Sequence, residues 1–168
     1  NAARILTGMG EGREPGWVHI CRADLKRGLA LFAEAPDIVR INPLIPIVQS
    51  IERDGTGMGV RAYATASAAV AAAAPRLVHA VIPIDDTLGS DVQSRSEALR
   101  IAVYASLAAG VKGILYRGLP AEESLLRAVS DINLELRLLR PYMGIASPTD
   151  WAVCNSTEVD AYALIAGR

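Results

Sequence analysis

Aromatic side chains are scarce: the 168 residues include one Phe, two Trp and five Tyr. That excludes a core built on bulky rings, and the abundance of alanine points instead to closely packed helices. Cysteine is equally sparse. Cys21 and Cys154 stand far apart without C-x-x-C spacing, and His19 and His79 are the only histidines. A structural zinc site needs four Cys/His ligands at short spacings, so none is expected, and the two cysteines are read as free buried thiols, with a disulfide as the alternative. Charge of one sign is missing too. A net charge of -1 supplies no basic surface to neutralise phosphates or anionic lipid headgroups, so neither a nucleic-acid nor a membrane partner is expected. No run reaches the roughly 18 to 20 apolar residues of a membrane span. The apolar stretch Ala62 to Ala74 is interrupted by Thr65 and Ser67.

What the chain does have is apolar content, 51% of it, enough for a sizeable core. Its clearest unit lies between Arg76 and Gly118. Leu77 to Ile84 is a short, β-branched apolar run, as expected of a strand buried on both faces. Asp85-Asp86 and the loop Thr87-Leu88-Gly89-Ser90 follow. Ser94-Arg95-Ser96-Glu97 then has the Ser-x-x-Glu form of a capping box and opens an apolar helix running to about Ala109. Gly110 sits where a left-handed C-terminal residue belongs, and Val111 to Tyr116 reads as a second buried strand. Strand, capped helix and strand make a βαβ unit, which implies parallel strands and a right-handed crossover.

The pattern extends both ways. Asp24 to Glu34 has helical spacing, and Asp37 to Asn42 reads as a strand ending at Pro43. A glycine-bearing loop (Gly55, Gly57, Gly59) leads to an alanine-rich helix over about Thr65 to Ala74. A further helix is expected from about Ala121 to Arg140, its stripe formed by Leu125, Leu126, Val129, Ile132, Leu136 and Leu139 and its end set by Pro141. Arg4 to Thr7 reads as an earlier strand. Past Pro148, Trp151 to Cys154 and Val159 to Ile165 predict a hairpin. The first residues show neither an initiating Met nor a signal peptide, and the last run stops within an apolar stretch. The chain is accordingly read as a piece of a larger protein.

Two segments carry a resemblance. Ser94 to Arg100 followed by Val103 to Tyr116, with its Gly110-Val111-Lys112-Gly113-Ile114-Leu115-Tyr116, resembles the seventh helix and eighth strand of barrel glycoside hydrolases and their relatives. Asp37-Ile38-Val39-Arg40-Ile41-Asn42-Pro43 resembles their sixth strand. The likeness covers roughly residues 24 to 140. It implies an α/β fold: a partial (β/α)8 TIM barrel, about strands five or six to eight, over residues 1–148, with the first strands of a β-sandwich-like domain over 149–168. A complete barrel needs roughly 250 residues, so the N-terminal half would lie upstream. The resemblance further implies a carbohydrate-active protein that hydrolyses glycosidic bonds, with a carbohydrate as ligand and no cofactor. It breaks at one important place. Retaining members commonly place a catalytic Glu near the end of the seventh strand, whereas this run ends Ile84-Asp85-Asp86.

In a barrel the functional groups gather where strands end. That rule selects Asn42, Asp85, Asp86, Tyr116 and Arg117. Glycoside hydrolysis needs one carboxyl group to protonate the leaving oxygen and another to attack or to activate water. Asp85 is the first candidate for a catalytic carboxylate and Asp86 the second; the competing reading has both solvating a loop or capping a turn. Arg117 binds a sugar hydroxyl or forms a structural ion pair. Tyr116 stacks on a sugar ring or packs at the mouth. Asn42 contacts ligand or makes an Asn-Pro turn. His79, within a strand, reads as a satisfied core histidine rather than a base. Gly8-Met9-Gly10 and Gly55 to Gly59 lack the flanking pattern of a nucleotide-binding loop. Three functions follow: a glycoside hydrolase, a non-catalytic barrel that binds glycan or serves as scaffold, and another barrel enzyme such as a lyase or aldolase.

Overall fold

A computed structural model describes residues 5–8, 17–20, 38–43, 57–84, 88, 92–118, 122–149, 152 and 161–167. In chain order the elements are β1 (Ile5–Gly8), β2 (Trp17–Ile20), β3 (Ile38–Ile41), α1 (Met58–Ala73), β4 (Leu77–Pro83), α2 (Val92–Ala108), β5 (Gly113–Arg117), α3 (Glu123–Met143), β6 (Ala146–Thr149) and β7 (Ala163–Ala166). The helix expected over 24–34, both cysteines and the glycines at 10, 12 and 55 lie outside the described residues.

β1 to β5 form one sheet in sequence order. β3, β4 and β5 lie side by side and parallel, as the βαβ pattern predicts, and β2 joins them in parallel to β3. The expected partial (β/α)8 barrel is overturned. β1 pairs antiparallel with β2, Ile5 opposite Ile20 and Gly8 opposite Trp17. A (β/α)8 repeat requires every neighbouring pair to be parallel, which takes a crossover of a dozen or more residues. Only residues 9–16 separate β1 from β2. The described strands make an open mixed sheet with β1 and β5 at its edges.

Of the hairpin expected from 151–154 and 159–165, the first strand lies, apart from Ala152, outside the described residues, and the second overlaps β7. β7 pairs antiparallel with β6, Ala146 opposite Ala166 and Thr149 opposite Ala163, as a separate two-stranded sheet. The reading missed β6 because Ala-Ser-Pro-Thr has little of the β-branched apolar character that marks a strand. Residues 151 and 153–160 lie outside the described residues.

The core lies between the large sheet and the helical layer. Alternation sends Val39, Ile41, Val78, Ala80 and Ile82 into it, with Ile114 and Tyr116 packed against it. α1 buries Ala62, Ala66, Ala69 and Ala73, a spacing of four, three and four that puts methyl groups on one stripe and lets α1 approach α2 closely. α2 contributes Leu99, Ala102 and Val103; α3 contributes Leu125 and Ile132. Burying a side chain such as Leu99 stabilises the fold by about 1.5–3 kcal/mol.

α1 starts seven residues before the expected Thr65, taking in Gly59; the apolar positions around Ala62 find a partner in α2 that outweighs glycine's poor helix propensity. α2 starts at Val92, so Ser94 falls inside the first turn rather than at the cap, and Glu97 accepts from Gln93 Nε2 at 2.6 Å. α3 runs through Pro141 to Met143. A proline this near the end removes one hydrogen bond with only two helical residues left to destabilise. Gly110 does adopt the left-handed conformation, φ 96°, and its N–H donates to Leu107 O at 2.9 Å. No helix among the described residues is long and apolar enough to cross a membrane.

Candidate functional site at the carboxyl ends of the parallel strands

Parallel strands present all their carboxyl ends at one edge of the sheet, and in open α/β sheets that edge is where ligands bind. Here it is formed by β3, β4 and β5. Register puts Ile41 beside Ala80, Ile82 beside Tyr116 and Pro83 beside Arg117. The N–H of Ile84 donates to Arg117 O at 3.0 Å, carrying the β4–β5 ladder one residue past the strand. Asp85 and Asp86 follow Ile84 in sequence and lie outside the described residues.

Asn42 directly follows β3 and is half-buried, next to a buried Pro43. Arg117, the last residue of β5, is exposed. Tyr116 points the other way. Strand alternation turns it towards the helices, where its hydroxyl donates to Asn133 Oδ1 of α3 at 3.2 Å, and burial pushes its pKa above the ordinary tyrosine value. The structure therefore puts Asn42 at the end of β3 and Tyr116 and Arg117 at the end of β5, with β4 between them and the tyrosine on the opposite face from the arginine.

Sequence reasoning missed a pair on this rim. α2 begins after β4 and α3 begins after β5, so their N-termini lie at the same edge. Arg95, in the first turn of α2, donates from Nη2 to Glu122 Oε1 at 2.8 Å, and Glu122 is the N-cap residue of α3. The guanidinium is mostly buried, so the bridge fixes both helix starts relative to the strand ends. The signal was faint: Arg95 stood inside a presumed capping box, and Glu122 was one of two consecutive acids in a presumed helix start.

His79 lies well away from the rim. It is the third residue of β4, in one row of the sheet with His19, Arg40 and Gly113. Its half-buried imidazole has its pKa lowered, first by desolvation and then by the Arg40 guanidinium. The ring leans over Gly113: a Cβ there would sit 2.7 Å from His79 Cδ2.

A third polar cluster ties α2 to α3. Arg100 donates from Nη1 and Nη2 to the two carboxylate oxygens of Glu135, at 2.7 and 2.9 Å, and Tyr104 donates its hydroxyl to the same group. The Tyr104 pKa is pushed up to about 12, by burial and then by its bond to the Glu135 carboxylate. Those two donors hold the Glu135 pKa below the usual carboxylate value. Among the described residues no three His, Cys, Asp or Glu side chains gather to hold a metal ion.

Cavities among the described residues lie elsewhere. One of about 460 Å³ is apolar, lined by Ile101, Tyr104, Leu139, Met143 and Leu164 and by Tyr162, whose ring stacks on Tyr63 of α1 with centroids 4.2 Å apart. Another, about 610 Å³, runs between β5 and α3. No family model, curated protein or solved structure matches the chain.

Proposed function

We propose that the rim at the carboxyl ends of β3, β4 and β5 binds carbohydrate and hydrolyses a glycosidic bond. The observation that supports this reading is the parallel, adjacent placement of the three strands. It sets Asn42 and Arg117 at one edge, with the chain leaving β4 directly into Asp85-Asp86. Amide and guanidinium groups are donors suited to sugar hydroxyls. Hydrolysis asks for two carboxyl groups. Asp85 is assigned as the first, Asp86 stands next to it as an alternative, and Glu122 is a further carboxyl group on the same rim. Arg95 holds Glu122 in place.

A second reading is favoured by one feature. β4 is followed by aspartates with no glutamate, and the rim's described carboxylate is engaged by an arginine. This suits a glycan-binding surface without turnover.

Both readings are tested on the full chain with a panel of nitrophenyl glycosides and a glycan array. The hydrolase reading expects release of nitrophenol that Asp85→Asn reduces at least a hundredfold, with an unchanged circular dichroism spectrum. Glycan binding without turnover supports the binding surface. Turnover untouched by Asp85→Asn and Asp86→Asn removes both aspartates from the mechanism, and a chain that neither binds nor cleaves glycans ends both readings.

A further inference from the structure

Among the described residues the large sheet ends at β5, but the helical layer continues past it. α1 packs against β3 and β4, the strands it connects; α2 packs against α1 and β4; α3 packs against α2. Each right-handed crossover helix lies over the seam between its own strand and the next parallel one. α3 follows β5 and faces it across a cavity. Among the described residues no strand occupies the place beneath it, because the next strand, β6, pairs with β7 in a different sheet.

The space left is the cavity of about 610 Å³, walled by Gly113 and Ile114 on one side and by Leu136, Arg137 and Arg140 of α3 on the other, with Lys112 at one end. Its charge is of one sign. Three cationic side chains line it and no aspartate or glutamate does. Arg137 and Arg140 are exposed and form no ion pair with a described residue. Lys112 donates from Nζ to Met143 O at 3.1 Å and to Ala146 O, tying the end of α3 to the start of β6.

We propose that this groove receives an extended, acidic segment of a partner protein, which adds to β5 as a sixth strand of the large sheet. Backbone N–H and C=O groups on the outer edge of β5 supply the hydrogen bonds. The side chains of the segment that face α3 are acidic and meet Arg137 and Arg140, while the alternate, apolar set extends the opposite face of the sheet beside Leu115. Five residues of β5 offer an edge of about 17 Å, enough for a segment of similar length. The groove opens at the amino end of β5, and the added strand runs from there towards Arg117 at the proposed carbohydrate rim.

The test measures fluorescence anisotropy of a labelled eight-residue peptide of alternating Glu and Val on the full chain. Saturable binding is expected. The double reversal Arg137→Glu with Arg140→Glu, both exposed positions, should weaken it by about tenfold or more while leaving circular dichroism unchanged. The same peptide N-methylated at alternate residues should also lose binding, since it cannot complete a ladder. Equal binding by a Lys-Val peptide, indifference to N-methylation, or no binding by the acidic peptide overturns the proposal. So does sedimentation showing a dimer that the double reversal dissociates, which would give the groove to a second copy of the chain.

Discussion

At the residue scale the sheet depends on an absent side chain. His79 can lay its imidazole across β5 only because Gly113 has no Cβ to meet it at 2.7 Å. Gly113→Ala is expected to destabilise the protein by about 1–3 kcal/mol, the usual cost of overpacking. In a His79→Ala background most of that penalty should vanish, and a double-mutant cycle of urea midpoints measures the coupling. The same histidine makes stability depend on pH. Its folded-state pKa is lowered from 6.5 by burial and by Arg40, so below pH 6.5 the unfolded chain takes up a proton that the folded chain resists. Stability is therefore full above pH 6.5 and falls as the pH drops below it, through the window down to the lowered folded value. Thermal melts at pH 7.5 and 5.5 should show this fall, and His79→Gln should reduce it. Glu135 acts in a separate window. Its lowered folded pKa gives a contribution that is present above 4.5 and is lost on further acidification.

At the scale of elements, two kinds of contact hold the helical layer. α1 packs closely on α2, and every side chain that α1 buries is an alanine. α2 meets α3 through the Arg100–Glu135–Tyr104 cluster, in which Arg100 also lies 5.9 Å from the Tyr104 ring centroid. Because burial and the carboxylate both oppose formation of a phenolate, Tyr104 should titrate near pH 12. A difference-absorbance titration of the tyrosines should therefore contain a step near that value which disappears in Tyr104→Phe. Its persistence in the variant would assign it to another tyrosine.

At the scale of the whole molecule, Lys112 joins three elements. Its backbone N–H donates to Val78 O at 2.9 Å beside β4, and its ammonium group reaches the carbonyls at the end of α3 and the start of β6. Gly110 adds a steric lock, since a Cβ there would meet Pro148 Cγ of β6 at 3.0 Å. Lys112→Met keeps much of the side-chain volume but removes the donor. It is expected to speed amide exchange across β6 and β7 while leaving β3 and β4 protected, as hydrogen exchange with mass readout would show. Uniform loosening of both sheets would mean that the lysine serves the entire fold.

Much of the local structure was legible in the residues. The run Leu77 to Ile84, the alanine-rich helices, the left-handed Gly110 and the parallel order of β3, β4 and β5 follow from side-chain periodicity, β-branching and glycine's freedom at positive φ. These are properties of short stretches, so a sequence expresses them directly. Asn42, Tyr116 and Arg117 could likewise be placed at strand ends, because a strand's end is a local event. What neighbours what was decided only in three dimensions. The antiparallel β1–β2 pair that opens the sheet, the pairing of β6 with β7 and the Arg95–Glu122 bridge all join segments whose partners no local pattern specifies. The direction of the Tyr116 ring was also hidden, since alternation fixes which side chains share a face and only the packing of helices decides which face is buried.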